Sequence, residues 1–506
     1  MTFADHLPIL PVAIPALAAP VAVLAMRRRR GLAVGITFAA ILLQLAAALA
    51  LMARVSGGTI LAYALGDWSA PFGIVLVADR LAALMLVLTA CLALIALLHA
   101  VVTGADRKGW HFHPLFQFQL MGLNGAFLTG DLFNLFVFFE VLLIASYGLM
   151  LHGQGPARLK AAVQYVVVNL VGSALFLIAL GMLYALTGTL NMADMGLRVR
   201  EVAAADQGML RIAALLLASV FALKAAVVPL HLWLVRTYAV STPAVAALFA
   251  IMTKVGVYSL IRVVPQVFHA EAGAASWAGA EWLWLAALAS AVIGFAGVFT
   301  ARGLAEQAAY GVIGSTGTLM IAVATWSADS LGAGLYYLVH STLAGAALFL
   351  VADVVARRRG SYGDAASPGP AFAGRGLAAL LFMAAAIAAT GLPPLSGFIG
   401  KLLILQSTAA APGWGWAWAV ILGTTLFGVI GFARVGSAVF WKSAEGAEVP
   451  PPPASRADML APVLLLGLLA ALSAGAGPAS DFTNAAAAQV LDPAQSAAVV
   501  LGRPAP

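Results

Sequence analysis

Runs of about 20 apolar residues follow one another along most of the 506-residue chain. Hydrophobic residues make up 63% of the sequence and charged residues only 9%, so a water-soluble globule of this length would lack polar surface. A helix of about 20 apolar residues crosses the hydrocarbon core of a bilayer. The pattern predicts an all-α integral membrane protein. It excludes a soluble enzyme, a nucleic-acid-binding protein or a fibre as a description of the whole chain.

We mark about fourteen transmembrane runs. They lie at residues 8–26, 31–53, 71–101, 114–130, 132–152, 160–187, 209–233, 243–265, 282–301, 305–327, 331–355, 376–409, 412–440 and 457–478. Most lysines and arginines outside the runs fall in the alternate loops that begin with Arg27 to Arg30. The opposite loops hold Arg54, Arg198, Arg200, Arg211, Arg262 and Arg503. Because positive loops stay in the cytoplasm, we expect both termini on the outer side.

The composition gives no support for a cofactor or a metal. A single cysteine, Cys91, excludes a disulfide framework and a cysteine-ligated cluster. The histidines are dispersed, and the one close pair, His111 and His113, is more typical of an interfacial loop than of a metal site. The formal charge of +7 is what membrane topology alone requires, so it indicates no nucleic-acid partner.

The polar segments are too short for a second, soluble domain. Residues 188–208 and 356–375 are predicted to be loops, and Pro450 to Pro453 a stiff connector. The alanine- and proline-rich residues 479–506 are expected to form a loose tail. Asp79 and Arg80, at the outer start of the third run, are expected to form a local cap or ion pair.

Two runs carry prolines that should break their helices. The run at 376–409 would make a helix of about 50 Å, far longer than the bilayer core requires. Pro393 and Pro394 lie inside it, and Pro229 has a similar interior position in the seventh run. Broken helices at corresponding places in two halves of a transporter indicate a transport site near the midplane, although other such breaks are purely structural.

Four charged residues lie well inside the runs: Glu140, Lys224, Lys254 and Lys401. A charge near the bilayer centre costs at least about 2.5 kcal/mol, so each is a functional candidate that must face a partner or water. His340, in the eleventh run, adds an imidazole, which can exchange a proton near neutral pH. The structural alternatives are an inert ion pair that involves Glu140 and a hydrogen-bonded core histidine at position 340.

Four sequence stretches resemble the D-type subunit of the multisubunit Mrp-type Na+/H+ antiporters. They are residues 130–153, which include the acidic position 140, and residues 221–233, 252–262 and 391–401. They occur in the family's order. The same superfamily supplies the antiporter-like proton-pumping subunits of respiratory NADH:quinone oxidoreductase and of membrane-bound hydrogenases.

The resemblance implies a fourteen-helix fold with two inverted five-helix repeats and broken helices 7 and 12. It divides the chain into N-terminal helices 1–3 (1–113), a first repeat (114–265), a second repeat (282–440), and a last helix with a tail (441–506). The relay that it implies consists of Glu140, Lys224, Lys254, His340 and Lys401. Many relatives have a lysine where this chain has Gly345, so one link of the relay is missing here.

The resemblance also implies a function: proton translocation in a bacterial cell membrane, within a complex that exchanges protons for Na+ or another monovalent cation. The expected partners are the other subunits of the complex and the lipid bilayer. Two alternatives remain open. One is a component of a redox-driven proton pump, which alone would belong to the translocase class of enzymes. The other is a scaffold that transports nothing.

Overall fold

The computed structural model describes residues 3–442 and 455–502. The predicted connector at 450–453 and Arg503 lie outside the described residues. Within them the chain is almost entirely helical, with one antiparallel hairpin of β1 (Leu61–Ala64) and β2 (Val75–Ala78), in which Leu61 is opposite Ala78.

The helices in the described residues are numbered in chain order. The first half contains α1 (Leu10–Arg28), α2 (Arg30–Val55), α3 (Arg80–Thr103), α4 (Phe112–Leu128), α5 (Leu132–Leu151), α6 (Pro156–Thr187), α7 (Met192–Arg198), α8 (Gln207–Lys224), α9 (Leu232–Val240), α10 (Pro243–Phe249) and α11 (Met252–Val267). The second half contains α12 (Ala280–Thr300), α13 (Leu304–Val323), α14 (Ala328–Ala356), α15 (Arg375–Thr390), α16 (Ser396–Thr408), α17 (Trp414–Gly436), α18 (Leu460–Ala474), α19 (Ala476–Val490) and α20 (Pro493–Leu501).

The helix lengths fit a protein that crosses a bilayer many times. Eleven helical stretches of the described residues are long and apolar enough to span a membrane. The predicted runs at 114–130, 305–327 and 376–409 are not among the eleven, and helix α4 in the first of them has 17 residues. The all-α membrane fold is therefore confirmed, whereas the number fourteen stays a prediction.

The helices are interrupted at both sites where the prolines predict a break. Helix α8 ends at Lys224 and α9 begins at Leu232, while α15 ends at Thr390 and α16 begins at Ser396. A third break, between α10 and α11, was not predicted. There the carbonyl of Phe249 accepts a hydrogen bond of 2.8 Å from the Tyr238 hydroxyl.

Helices α11 and α14 form the centre of the protein. Every residue of α11 is buried, and α14 packs against α10, α13, α16, α18 and α19. Polar residues on helices that are covered on all sides are kept from water. Lys254 on α11 and His340 on α14 are two of these residues.

A buried ion pair fixes the beginning of α3. Asp79 caps this helix by accepting a 2.8 Å hydrogen bond from the backbone N–H of Ala82, as the predicted local cap requires. Its charged partner, however, is Arg262 of α11, at 2.5 and 2.8 Å, whereas Arg80 donates to the Ser56 carbonyl. The assignment of Arg262 to a loop was therefore wrong.

The expectation of a loose tail at 479–506 was also wrong for its described part. Helix α19 packs on α3 and α14, and α20 packs on α7 and β1. Alanine favours helix formation, and its small side chain permits close approach to α14, where Asn484 lies against Gly332. The Gln489 side chain accepts a hydrogen bond from Arg80 N–H and donates to the Gly58 carbonyl at 2.9 Å.

Candidate functional site

Glu140 lies more than two turns inside α5. The helix begins where Asp131 accepts a 2.8 Å hydrogen bond from Asn134 N–H, so the start of α5 is set by this side-chain cap. The Glu140 side chain is half-buried, and its carboxylate accepts a hydrogen bond from the Ser173 hydroxyl of α6. The predicted acid therefore faces α6.

Lys224 is the last residue of α8 and is buried. Its ammonium donates to Asn169 Oδ1 on α6 at 3.0 Å and lies 5.8 Å from the centroid of the Phe139 ring. No ion pair within 4.0 Å joins it to Glu140 in the described part of the chain. Lys224 and Glu140 are instead connected through α6. Asn169 of this helix contacts the lysine, and Ser173, one turn later, contacts the acid.

Lys254 lies just after the break between α10 and α11 and is fully buried. Its ammonium donates to the hydroxyl of Thr253 at 3.3 Å and to that of Thr316 on α13 at 3.5 Å. Both acceptors are neutral and both bonds are long, so the charged form of this lysine has weak stabilisation in its surroundings.

His340 connects α14 to the start of α16. Its Nδ1 is 2.9 Å from the Ser396 hydroxyl oxygen. Its ring centroid is 5.6 Å from that of Tyr337, one turn earlier on α14. Gly397 lies so close to the imidazole that a Cβ there would collide with it. The histidine is thus held directly against the second helix break.

Lys401 lies on α16, and its ammonium reaches back across the same break. It donates to the carbonyl of Thr390, the last residue of α15, at 2.8 Å and to the Thr425 hydroxyl of α17 at 2.7 Å. The ammonium is also 5.0 Å from the centroid of the Phe295 ring. The carbonyl that it binds lies at the negative end of α15, where a cation is stabilised by the helix dipole.

The five predicted residues therefore lie at three places in the fold. Glu140 and Lys224 meet on α6, His340 and Lys401 meet at the second break, and Lys254 stands at the third break against α13. No carboxylate of the described residues lies within ion-pair distance of the three lysines. Among the described residues, Glu140 is the acid whose charge acts on Lys224.

Sequence reasoning missed the neutral groups that hold these charges. They are Asn169, Ser173, Thr316, Ser396 and Thr425. Asn169 and Ser173 did carry a signal, because polar residues four apart in an otherwise apolar helix mark one face. Gly345 faces Val312 of α13 and Ala250 at the third break.

The loop between α3 and α4 holds a separate polar cluster. Asp106 accepts from Arg30 at 2.6 Å and lies 3.3 Å from His113 Nε2. Burial by itself would raise the pKa of Asp106, but the hydrogen bonds and charges of His113 and Arg30 hold it below its usual value. His111 is exposed, and no group of three metal-binding side chains occurs in the described residues.

A family model for the membrane-spanning part of NADH:quinone oxidoreductase and Mrp antiporter subunits matches residues 129–428, which include all five predicted site residues. The chain belongs to this family. A probable K(+)/H(+) antiporter subunit of the D type from Rhizobium meliloti is 40% identical, with 99% of this chain and 98% of the relative aligned. The D-type Na(+)/H(+) antiporter subunit of Bacillus subtilis is 35% identical over 86% of this chain and 87% of its own length.

Two solved structures have the same fold as this chain. A chain of the Mrp complex from Dietzia sp. superposes with a TM-score of 0.89 at 29% identity, over 99% of this chain and all of that one (100%). A chain of respiratory complex I from Thermus thermophilus gives a TM-score of 0.76 at 24% identity, over 96% of this chain and 100% of that chain, which is a likeness of fold alone. The resemblance predicted from the four motifs is confirmed.

Proposed function

We propose that this chain is the D-type component of a multisubunit monovalent cation/proton antiporter in a bacterial cell membrane, and that it conducts the protons. The support is its identity of 40% to a D-type potassium/proton antiporter subunit over nearly the whole of both chains. It is a transporter subunit rather than an enzyme.

The observation that carries the proton path is the placement of the three buried lysines. Lys224 and Lys254 flank helix breaks, and the ammonium of Lys401 reaches back across one. All three donate to neutral oxygens rather than to a carboxylate. We propose that Glu140 stabilises the protonated form of Lys224. Movement of the ammonium from Asn169 toward Lys254 then displaces a proton along the row to His340 and Lys401. A charge that crosses the membrane potential gains about 2.3 kcal/mol per 100 mV, which supplies energy for such a step.

The exchanged cation is proposed only as a monovalent metal ion. Sodium is the ion that the sequence resemblance implies and that the name of the Bacillus subtilis relative contains, whereas potassium is in the name of the Rhizobium meliloti relative. Exchange measured with equal concentrations of Na+ and K+ in separate vesicle preparations distinguishes the two ions.

The division into two inverted repeats, at 114–265 and 282–440, and the outer position of both termini belong to the same proposal. Two exposed alanines lie on opposite predicted sides of the membrane. Ala204, between α7 and α8, is on the outer side, and Ala157, in the first turn of α6, is on the cytoplasmic side. In a background with Cys91→Ala, an impermeant thiol reagent added outside should label Ala204→Cys and not Ala157→Cys. The opposite labelling pattern would refute the proposed orientation.

A redox-driven pump is the second proposal, and the complex I likeness favours it only at the level of fold. The relatives described above and a Staphylococcus aureus relative at 33% identity are all named as antiporter subunits, which favours antiport. A scaffold role differs from both proposals in one expectation: a scaffold should tolerate a neutral side chain in place of Glu140.

The decisive test is Glu140→Gln in the assembled complex. The amide keeps the shape of the side chain but cannot offset the charge of Lys224, so cation/proton exchange in everted vesicles should be lost while the chain still assembles. Glu281→Gln, which removes an exposed carboxylate at the start of α12, is the matched control and should leave exchange unchanged. Unchanged exchange in Glu140→Gln would identify the acid as structural.

A further inference from the structure

The loop between α3 and α4 forms a groove around Trp110, whose side chain is 80% exposed. On one side of the indole lies a polar cavity of about 540 Å³ that contains Arg30, Arg107 and Lys108. On another side lies a smaller, mainly apolar cavity of about 250 Å³, formed by Val23, Met26 and Pro114 with Trp110 and His111. Met26 and Trp110 line both cavities, so the two lie side by side and are treated as the two ends of one groove.

The polar end of the groove has an excess of positive charge. Asp106 is its one carboxylate among the lining residues, and Arg30 already neutralises it at 2.6 Å. Arg107 and Lys108 are exposed and form no ion pair in the described residues. Two uncompensated cations therefore face the cavity, in the short loop that joins α3 to α4.

The apolar end of the groove extends along the membrane-spanning helices. Val23 and Met26 belong to α1 and Pro114 to the first turn of α4, so this end runs from the loop toward the hydrocarbon region. Trp110 stands between the two ends, as indole rings commonly do at the level of lipid headgroups. A free anion needs only the polar end, whereas a lipid fits both ends at once.

We propose that this groove binds one anionic phospholipid, with its phosphate at Arg107 and Lys108 and an acyl chain against Val23, Met26 and Pro114. Basic pockets at the ends of membrane helices attract anionic headgroups, and the order of the two ends along the groove matches the order of headgroup and chain in a lipid. The site lies apart from the buried lysines and does not depend on the proposed proton path.

The test uses the whole complex, purified in detergent, with a phosphatidylglycerol that carries a diazirine on one acyl chain. After illumination, adducts on this chain are located by peptide mass spectrometry. We expect them in residues 20–26 and 110–118. The double variant Arg107→Gln/Lys108→Gln should reduce this labelling about tenfold or more, because each lost cation weakens headgroup binding severalfold. The matched control Lys160→Gln/Lys442→Gln removes two exposed cations elsewhere and should not change it.

Two further arms identify the ligand. A phosphatidylcholine with the same diazirine should label these segments weakly, and inorganic phosphate should not displace the phosphatidylglycerol. The variant Val23→Phe fills the apolar end and should reduce labelling while both cations remain. If the double variant fails to assemble, Lys108→Gln alone replaces it, with a smaller expected loss.

Several results would overturn the proposal. If both lipids label these segments equally and the double variant does not change the labelling, the adducts come from the general lipid layer around the protein. Full displacement by inorganic phosphate would show a site for a free anion. If these segments carry no adducts and Trp110→Cys forms crosslinks to another protein of the complex, a protein segment covers the groove.

Discussion

The two proline-containing helix breaks both hold a lysine, but on opposite sides of the gap. Lys224 ends the first half of its helix, and Lys401 lies on the second half of its own. At the first break the indole N–H of Trp233 donates to the carbonyl of Leu223 at 3.2 Å, so the lysine is free to bind α6. At the second break Lys401 itself binds the carbonyl of Thr390.

This difference separates two uses of a buried cation. Lys224 is coupled to the acid Glu140 through α6, so its environment depends on another titratable group. Lys401 is coupled to a helix end, because its ammonium donates to the Thr390 carbonyl of α15. It also lies at the same break as His340. Variants at the two positions should consequently fail in different ways.

The largest effect is expected for Lys224→Ala. Loss of this ammonium leaves Glu140 without its compensating charge and removes a group of the proposed proton path, so exchange should fall by about 100-fold or more. Exchange in everted vesicles measures it, and Lys442→Ala is the control because that lysine is exposed. Exchange above about a tenth of the normal rate would remove Lys224 from the proton path.

A smaller but severe loss, of about tenfold or more, is expected for Lys401→Ala. Lys401→His should restore part of the rate, since imidazole can pass a proton. Lys401→Gln separates the two roles of this residue, because its amide can donate to the Thr390 carbonyl but cannot titrate. Glutamine equal to lysine would show that the residue only completes the helix end, whereas histidine better than glutamine would support proton transfer.

The smallest effect is expected for Trp233→Phe, which removes the indole donor at the first break. The loss of one buried hydrogen bond should lower the free energy of unfolding by about 1 kcal/mol. Trp418→Phe is the matched control, because its indole donates to the Leu405 carbonyl at 3.1 Å away from both breaks. Thermal unfolding in detergent should give similar losses for the two variants, while only Trp233→Phe should slow exchange. Equal exchange rates would mean that the geometry of the first break does not matter for transport.

Much of the fold could be predicted because the bilayer imposes it. Run length and apolar composition predicted the spans, and the run at 376–409 with Pro393 and Pro394 predicted a break that the structure contains. The break between α10 and α11 could not be predicted in this way. Its carbonyl at Phe249 is bound by Tyr238, and a tertiary contact leaves no proline or glycine signal at the break itself.

The site was predictable in its charges and not in its neutral partners. A lysine inside an apolar run is conspicuous, whereas Asn169 or Thr425 gains importance only from the helix that packs beside it. The pairing of Arg262 with Asp79 illustrates the same limit, since the two residues are 183 positions apart and either could have faced water.

The hydrogen bond between Gln489 and Gly58 joins parts of the chain that are made at very different times. These residues are 431 positions apart, so at 5–20 residues per second the ribosome needs about 20 to 90 s to supply the second partner after the first. During that interval the loop after α2 and the start of α3 are in the membrane without α19. A nascent chain stalled before residue 476 should therefore expose this end of the protein to chaperones and proteases, and translation speed becomes a determinant of how much intact protein accumulates.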